Sequence, residues 1–276
     1  MPFSPTPPAS EPVPEPGVGA RKPAPGAEVA ALADNADDWQ QEKQVRLTAQ
    51  RVLSAHLIEA PPGKEVPANR VSDRFWPGIR LDLTGATLID FSLNSAVLAD
   101  AQFDSATFAG RAEFNLATFA VGVDFNRATF NGPVRFERAT FNDDLTWFGG
   151  VTFDDEARFS NATFNSAWFV KGTFKGQAFF SSAAFNGTAW FEEATFKGTA
   201  QFGEALFGRG AQFSKATFHG TVLFGLATFP NWLGVSFVGS HVLSPNAQHT
   251  WPKGWHIGET GDGAHTVLHA DSSASS

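Results

Sequence analysis

An all-β solenoid is the fold class that this chain predicts, and two observations predict it. From Ala106 to Phe229 the sequence repeats Ala-Thr-Phe or a close relative, and the phenylalanines fall at alternating steps of five and six residues, as in Phe108, Phe114, Phe119, Phe125, Phe130, Phe136 and Phe141. A fixed short period marks a repeat architecture. Two residues before each large apolar side chain sits a small or medium one, among them Ala106, Ala112, Ala117, Val123, Ala128, Val134 and Ala139. A spacing of two points both to one side of an extended segment, and the following gap of three or four requires a corner. A helix would need apolar residues recurring near 3.6. Each unit is therefore a short straight piece followed by a turn.

Taken in order, residues 1–33 are rich in Pro, Ala, Gly and Glu and hold too little apolar surface to fold alone, which predicts a disordered arm. Residues 34–78 form a capping segment. A helix is expected from Asp37 to Ile58, with Val45, Ala49, Val52, Leu53 and Leu57 on one stripe turned to the first coil. Phe75, Trp76 and Ile79 are expected to complete the plug, since an open coil end presents unpaired strand edges. Residues 79–237 are the repeats, beginning with leucine in strict fives at Leu83, Leu88, Leu93 and Leu98. Glycines in Asn131-Gly132, Lys175-Gly176, Asn186-Gly187, Lys197-Gly198 and His219-Gly220 are expected to supply positive φ at the turns. Residues 238–270, with two short runs around Gly258–Gly263, predict a closing hairpin. Residues 271–276 are a disordered tail.

These repeats resemble the pentapeptide-repeat family, in a Phe-centred, actinobacterial-looking variant, from about Leu81 to Phe237. The resemblance implies a right-handed quadrilateral β-helix of about seven coils, four units to a coil. Two phase slips depart from it: the Phe141 to Phe153 step gains a residue and the Phe164 to Phe174 step loses one, with bulges expected at Phe148-Gly149-Gly150 and Asn165-Ser166. Folded on four sides, every fourth unit places Thr87, Thr107, Thr129, Thr152, Thr173, Thr195 and Thr217 in one outward ladder. The interior receives the phenylalanines. Tyrosine is absent, and a ring at the axis of a narrow coil has no room to send a hydroxyl to a partner.

Little in the chain points to catalysis. Zero cysteines exclude disulfides and thiolate metal sites. Neither a basic segment followed by an apolar run nor about eighteen consecutive apolar residues occurs, so a soluble, cytoplasmic protein is expected. His256 could approach His265 or His269 across the hairpin, but no carboxylate or ligand spacing supports a metal site, and surface histidines are the expectation. A Ser-His-Asp set is poorly supported because His219 is the sole histidine within the repeats. Gly258–Gly263 lacks a following helix to cradle phosphate. No cofactor and no direct contact with nucleic acid are expected.

The outward position of one side reads Asp82, Gln102, Asp124, Thr146, Trp168, Trp190 and Gln212. Trp168 and Trp190, with Phe148 and Val170 at nearby corners, are the candidate partner-binding surface, for exposed tryptophans on a rigid face are typical anchors. Phe179 is expected outward on the opposite side. The expected function is thus a non-enzymatic rigid scaffold for an unidentified protein partner or for self-association. The resemblance also implies an alternative, since some pentapeptide-repeat proteins mimic duplex DNA and bind DNA gyrase, giving quinolone resistance. Seven coils at about 4.8 Å make a rod of roughly 34 Å, and duplex DNA of that length carries about twenty negative charges. Leu81 to Phe237 holds 15 Asp and Glu against 10 Lys and Arg, far short of such a match.

Overall fold

The computed structural model describes residues 25–58, 76–144, 146–231, 234–261 and 263–270, with side chains from Trp39 onward. Two compact units are distinguished, residues 1–42 and 43–276. The described part of the first is the opening of a long helix, α1 (Pro25–Leu57). The helix starts within the stretch expected to be an arm; residues 1–24 and Phe75 lie outside the described residues.

The repeats form a parallel β-solenoid of about seven coils. Among the described residues its strands make a 12-stranded and a 13-stranded sheet, and a separate antiparallel pair closes the chain. Four ladders run along it. The first pairs Thr87, Thr107, Thr129, Thr152, Thr173, Thr195 and Thr217 in succession, as the sequence predicts, and ends on His241. The second carries Glu113, Arg135, Arg158, Phe179, Gln201 and Leu223. The third carries Thr118, Thr140, Thr163, Ala184 and Leu206. The fourth carries Asp82, Gln102, Asp124, Trp147, Trp168, Trp190 and Gln212.

Inside, from Phe103 and Phe108 onward, the inward phenylalanines stack on their counterparts one coil away. Phe159 lies 4.9 Å from both Phe136 and Phe180 with nearly parallel rings, and meets Phe148 and Phe169 edge to face. Parallel columns crossed by T-shaped contacts satisfy both preferred aromatic geometries. Each ring is worth about 2–3 kcal/mol of apolar burial.

The alternation of five and six residues is an alternation of corners. At the five-residue corner a tight turn closes, as where the Ala106 N–H donates to the Phe103 carbonyl (3.0 Å), and its third residue takes positive φ: Ser105, Leu116, Arg127, Arg138, Asn161, Lys171 and Ser182 all lie at φ 56–59°. At the six-residue corner the added residue turns its N–H to the neighbouring coil, as Lys197 does to the Phe174 carbonyl (2.8 Å). The glycines of Asn131-Gly132, Lys175-Gly176, Asn186-Gly187, Lys197-Gly198 and His219-Gly220 occupy these wider corners and do not have positive φ, contrary to expectation. Close stacking is their reason: a Cβ on Gly132 would collide with the Gly110 carbonyl, one on Gly198 with Gly176 and one on Gly220 with Gly198.

The first phase slip also needs correction. Phe148-Gly149-Gly150-Val151 is an ordinary five-residue corner, with Gly150 at φ 63° and the Val151 N–H on the Phe148 carbonyl. The extra residue lies earlier, between Phe141 and Thr146, so Thr146 faces inward (1% exposed) and Trp147 takes the outward position. The second slip falls at Asn165-Ser166, as expected, because Ala167 and Trp168 re-enter the ladder directly after it.

Within the second unit, α1 covers the first coil with a polar face rather than the expected apolar stripe. Gln50 Nε2 donates to the Ile89 carbonyl (2.7 Å) while its Oε1 accepts the Ile89 N–H (2.9 Å). Ser54 Oγ donates to the Ser92 carbonyl and Arg46 to that of Thr87. A strand edge presents orphaned N–H and C=O groups, and side-chain amides and hydroxyls satisfy them where methyl groups cannot. Leu57 is buried and Leu53 half-buried beside them, whereas Val45, Ala49 and Val52 face outward. Gln50→Leu is expected to cost about 1–3 kcal/mol by leaving Ile89 unpaired; an unchanged urea midpoint would show that the first coil needs no such cap.

At the other end, the expected hairpin forms from Trp255–Glu259 and His265–His269. Val267 is buried, and Trp251 and Trp255 lean on Phe237 at 5.7 and 4.9 Å. Thr250 bridges to Leu223 at the end of the second ladder, and His249 beside it accepts the Val222 N–H on Nδ1 (3.1 Å) while its Nε2 donates to the Ser244 carbonyl (2.8 Å).

Candidate functional site

The tryptophan side is a stack of three indoles where the sequence reading placed two. Trp147, Trp168 and Trp190 project from consecutive coils because the Phe141–Thr146 insertion rotates Trp147 outward. Trp168 and Trp190 lie 4.8 Å apart at 9°, and Trp147 and Trp168 5.1 Å apart at 27°. All three are half-buried. The missing member was signalled locally: Thr146-Trp147-Phe148 has the same inward, outward, inward order as Ala167-Trp168-Phe169 and Ala189-Trp190-Phe191. Trp168 Nε1 donates to the Asp144 carbonyl (3.3 Å), which fixes the middle ring.

Phe148, expected on this surface, is instead in the core. It is fully buried between Phe125 and Phe169, at 5.0 and 4.6 Å, because it is the central residue of its unit. Val170 does lie at the adjoining corner, half-buried. The positions bordering the indoles are small at Gly149 and Gly150, Ser166, Gly187 and Thr188, and charged at Asp144, Lys171, Glu192 and Glu193.

Ring orientation limits what this surface can recognise. Stacking along the axis spends the indole faces on one another and turns their edges outward. Sugars and nucleobases bind aromatic platforms through ring faces, and here only the two ends of the stack keep a face open, toward Asp124 and Gln212. An edge-on apolar ridge suits side chains of another protein.

On the opposite side, Phe179 occupies its expected outward place, with the Arg158 guanidinium 4.5 Å from its ring centroid. Arg158 also bonds Glu156 and approaches Glu137 (3.7 Å). Acid–base pairing recurs elsewhere, in Arg127–Asp104 (2.5 Å), Lys175–Asp154 (2.7 Å) and Arg80–Asp100 (2.8 Å).

The titratable groups with displaced pKa values are displaced toward the charge they already carry. The Thr84 backbone N–H holds the Asp82 carboxyl below its ordinary range. The Arg80 hydrogen bond lowers that of Asp100, and the Glu156 hydrogen bond raises the Arg158 guanidinium. A general acid or base needs the reverse, a pKa brought toward neutrality. Asp90 and Glu113 line a groove of about 430 Å³ beside the first coil, but Asp90 accepts the Arg111 N–H and Glu113 bonds Asn94. His256 pairs across from Leu268, on the hairpin face away from His265 and His269. Among the described residues no group of three or more His, Asp or Glu could hold a metal ion, and no helix is long and apolar enough to cross a membrane.

A sequence-family comparison agrees with the repeat pattern. A family model described as pentapeptide repeats, nine copies, matches residues 93–140, 125–173, 159–206 and 180–228. Among solved structures the chain is similar to trypsin-treated QnrB1, a plasmid-mediated fluoroquinolone resistance protein, at 16% identity over 59% of this chain and 86% of that one, with a TM-score of 0.18. No curated protein matches the sequence significantly.

Proposed function

Residues 93–228 belong to the pentapeptide-repeat family, and from that premise we propose that the chain is a non-catalytic scaffold that binds another protein through its tryptophan side. The stacked ridge of Trp147, Trp168 and Trp190 carries this reading. Aromatic side chains on a flat, rigid surface supply large contact area at little entropic cost, since the core beneath has already fixed their positions. The indoles are half-buried, so part of each remains accessible beside Gly149, Ser166 and Thr188. The gyrase-binding alternative finds less support. Its requirement is a dense, continuous negative surface, whereas several acids here are paired with bases, as in Arg127–Asp104 and Lys175–Asp154, and one ladder carries Arg135 and Arg158 in succession.

The test uses substitutions that the ladder itself supplies, because Gln102 and Gln212 hold the same outward position. The triple variant Trp147→Gln, Trp168→Gln, Trp190→Gln is expected to remain folded, losing about 0.5–1.5 kcal/mol per removed ring pair. In affinity capture from a cell lysate it should lose proteins that the native chain retains. Identical captures would remove this side from consideration, and collapse of the fold would show the rings to be structural.

A further inference from the structure

The charges that border the tryptophan side are ordered along the solenoid axis, and their order is self-complementary. Along the corner that leads into this side, Asp144, Ser166, Gly187 and Arg209 occupy successive coils: Ser166 Oγ donates to Asp144 Oδ1 (2.8 Å), and the Arg209 N–H donates to the Gly187 carbonyl (3.2 Å). An acid and a base thus stand three coils apart, about 14 Å, with uncharged residues between them. Both side chains are exposed, and neither forms an ion pair among the described residues. Along the corner that leads out, Lys171 is followed one coil later by Glu192 and Glu193 and then by Lys215; Lys171 approaches Glu193 at 3.7 Å. The adjoining third ladder is uncharged through Thr140, Thr163, Ala184 and Leu206.

We propose that the partner of this face is a second copy of the chain, packed side by side and antiparallel. The inference rests on the reading of the tryptophan side as a protein-contact surface and names its occupant. A two-fold axis lying in the face and crossing the solenoid axis reverses the order of the coils while keeping each corner against its own counterpart. Placed midway between the Trp168 and Trp190 coils, it sets Trp168 against the second copy's Trp190, and Trp147 against its Gln212. The same operation sets Asp144 against the second copy's Arg209 twice over, and Lys171 against its Glu192 and Glu193. The parallel arrangement fails on charge, for it would bring Arg209 beside Lys215 of the other copy. An aromatic centre rimmed by complementary charges is the composition of a specific interface.

Charge exchange on the full chain tests this by sedimentation equilibrium. The native chain is expected to dimerise. Asp144→Arg alone and Arg209→Asp alone should each weaken association at least ten-fold by apposing like charges. Mixing the two variants should restore dimers, since each contact of the mixed pair is again between opposite charges, and the double variant should dimerise like the native chain. Dimers indifferent to these charges would overturn the antiparallel packing. A native chain that stays monomeric at high micromolar concentration would overturn self-association altogether, while tryptophan-dependent capture of a different protein would still uphold the broader reading of the face.

Discussion

Phe159→Ala is expected to remove about 3–5 kcal/mol of stability, as a truncation in the middle of the aromatic core. Its ring stacks on Phe136 and Phe180 and meets Phe148, Phe153 and Phe169 edge to face, so the vacancy faces aromatic walls on every side. Those walls cannot collapse into it, since each is held in its own column by rings above and below. The effect should also change the form of the transition. In a solenoid each coil touches only its neighbours, and stability is close to a sum of local terms. A defect in the middle therefore separates the two halves, and urea unfolding followed by tryptophan fluorescence should pass from one step to two. Phe229→Ala, near the C-terminal end of the repeats, where Phe229 stacks on Phe207, should cost clearly less, because a defect there leaves the run of coils before it uninterrupted. Equal losses at the two positions, or a loss at Phe159 below about 1 kcal/mol, would contradict the additive picture.

The parts of this fold legible in the sequence are those where one residue decides direction. A phenylalanine every five or six positions fixes which side chains point inward, and the residue before it must then point outward. The threonine ladder follows from that alternation, and its pairing from Thr87 to Thr217 emerges as expected. Trp147 is not legible in that way because a single inserted residue flips the alternation for one unit: the glycines after Phe148 attract the expected bulge, while the insertion lies before Thr146. A bulge after Phe148 would leave Phe148 at the surface, whereas its neighbours Phe125 and Phe169 bury it completely.

Helix α1 shows a different limit. Reading a helix by its apolar stripe assumes that the surface it covers is apolar. The first coil instead presents backbone amides and carbonyls, so Gln50 and Ser54 dock while Val45 and Val52 face outward. Nothing in α1 alone reveals that; the requirement belongs to the strand edge beneath it.

Gly198→Ala should be far more damaging than Gly150→Ala, which reverses the ordering that a positive φ would suggest. Gly150 has φ 63°, yet a Cβ there would meet nothing closer than Arg127 Cγ at 3.8 Å. The same corner in neighbouring coils already carries Arg127 and Lys171 at φ 56° and 59°. Alanine at 150 therefore costs only the left-handed conformation, about 1–2 kcal/mol. Gly198 has an ordinary φ, but its added Cβ would collide with the carbonyl of Gly176, and Gly220 repeats the arrangement on Gly198 itself. That carbonyl is backbone of a packed coil and cannot swing away as a side chain would. Relief must come from separating two coils whose phenylalanines are in stacking contact, as Phe174 and Phe196 are at 4.7 Å, so the cost is expected at or above the 1–3 kcal/mol of ordinary overpacking. Urea midpoints of the two variants measured side by side decide the matter. A milder effect at Gly198 than at Gly150 would mean that the wide corners yield easily, and that their glycines serve the turn and not the spacing of the coils.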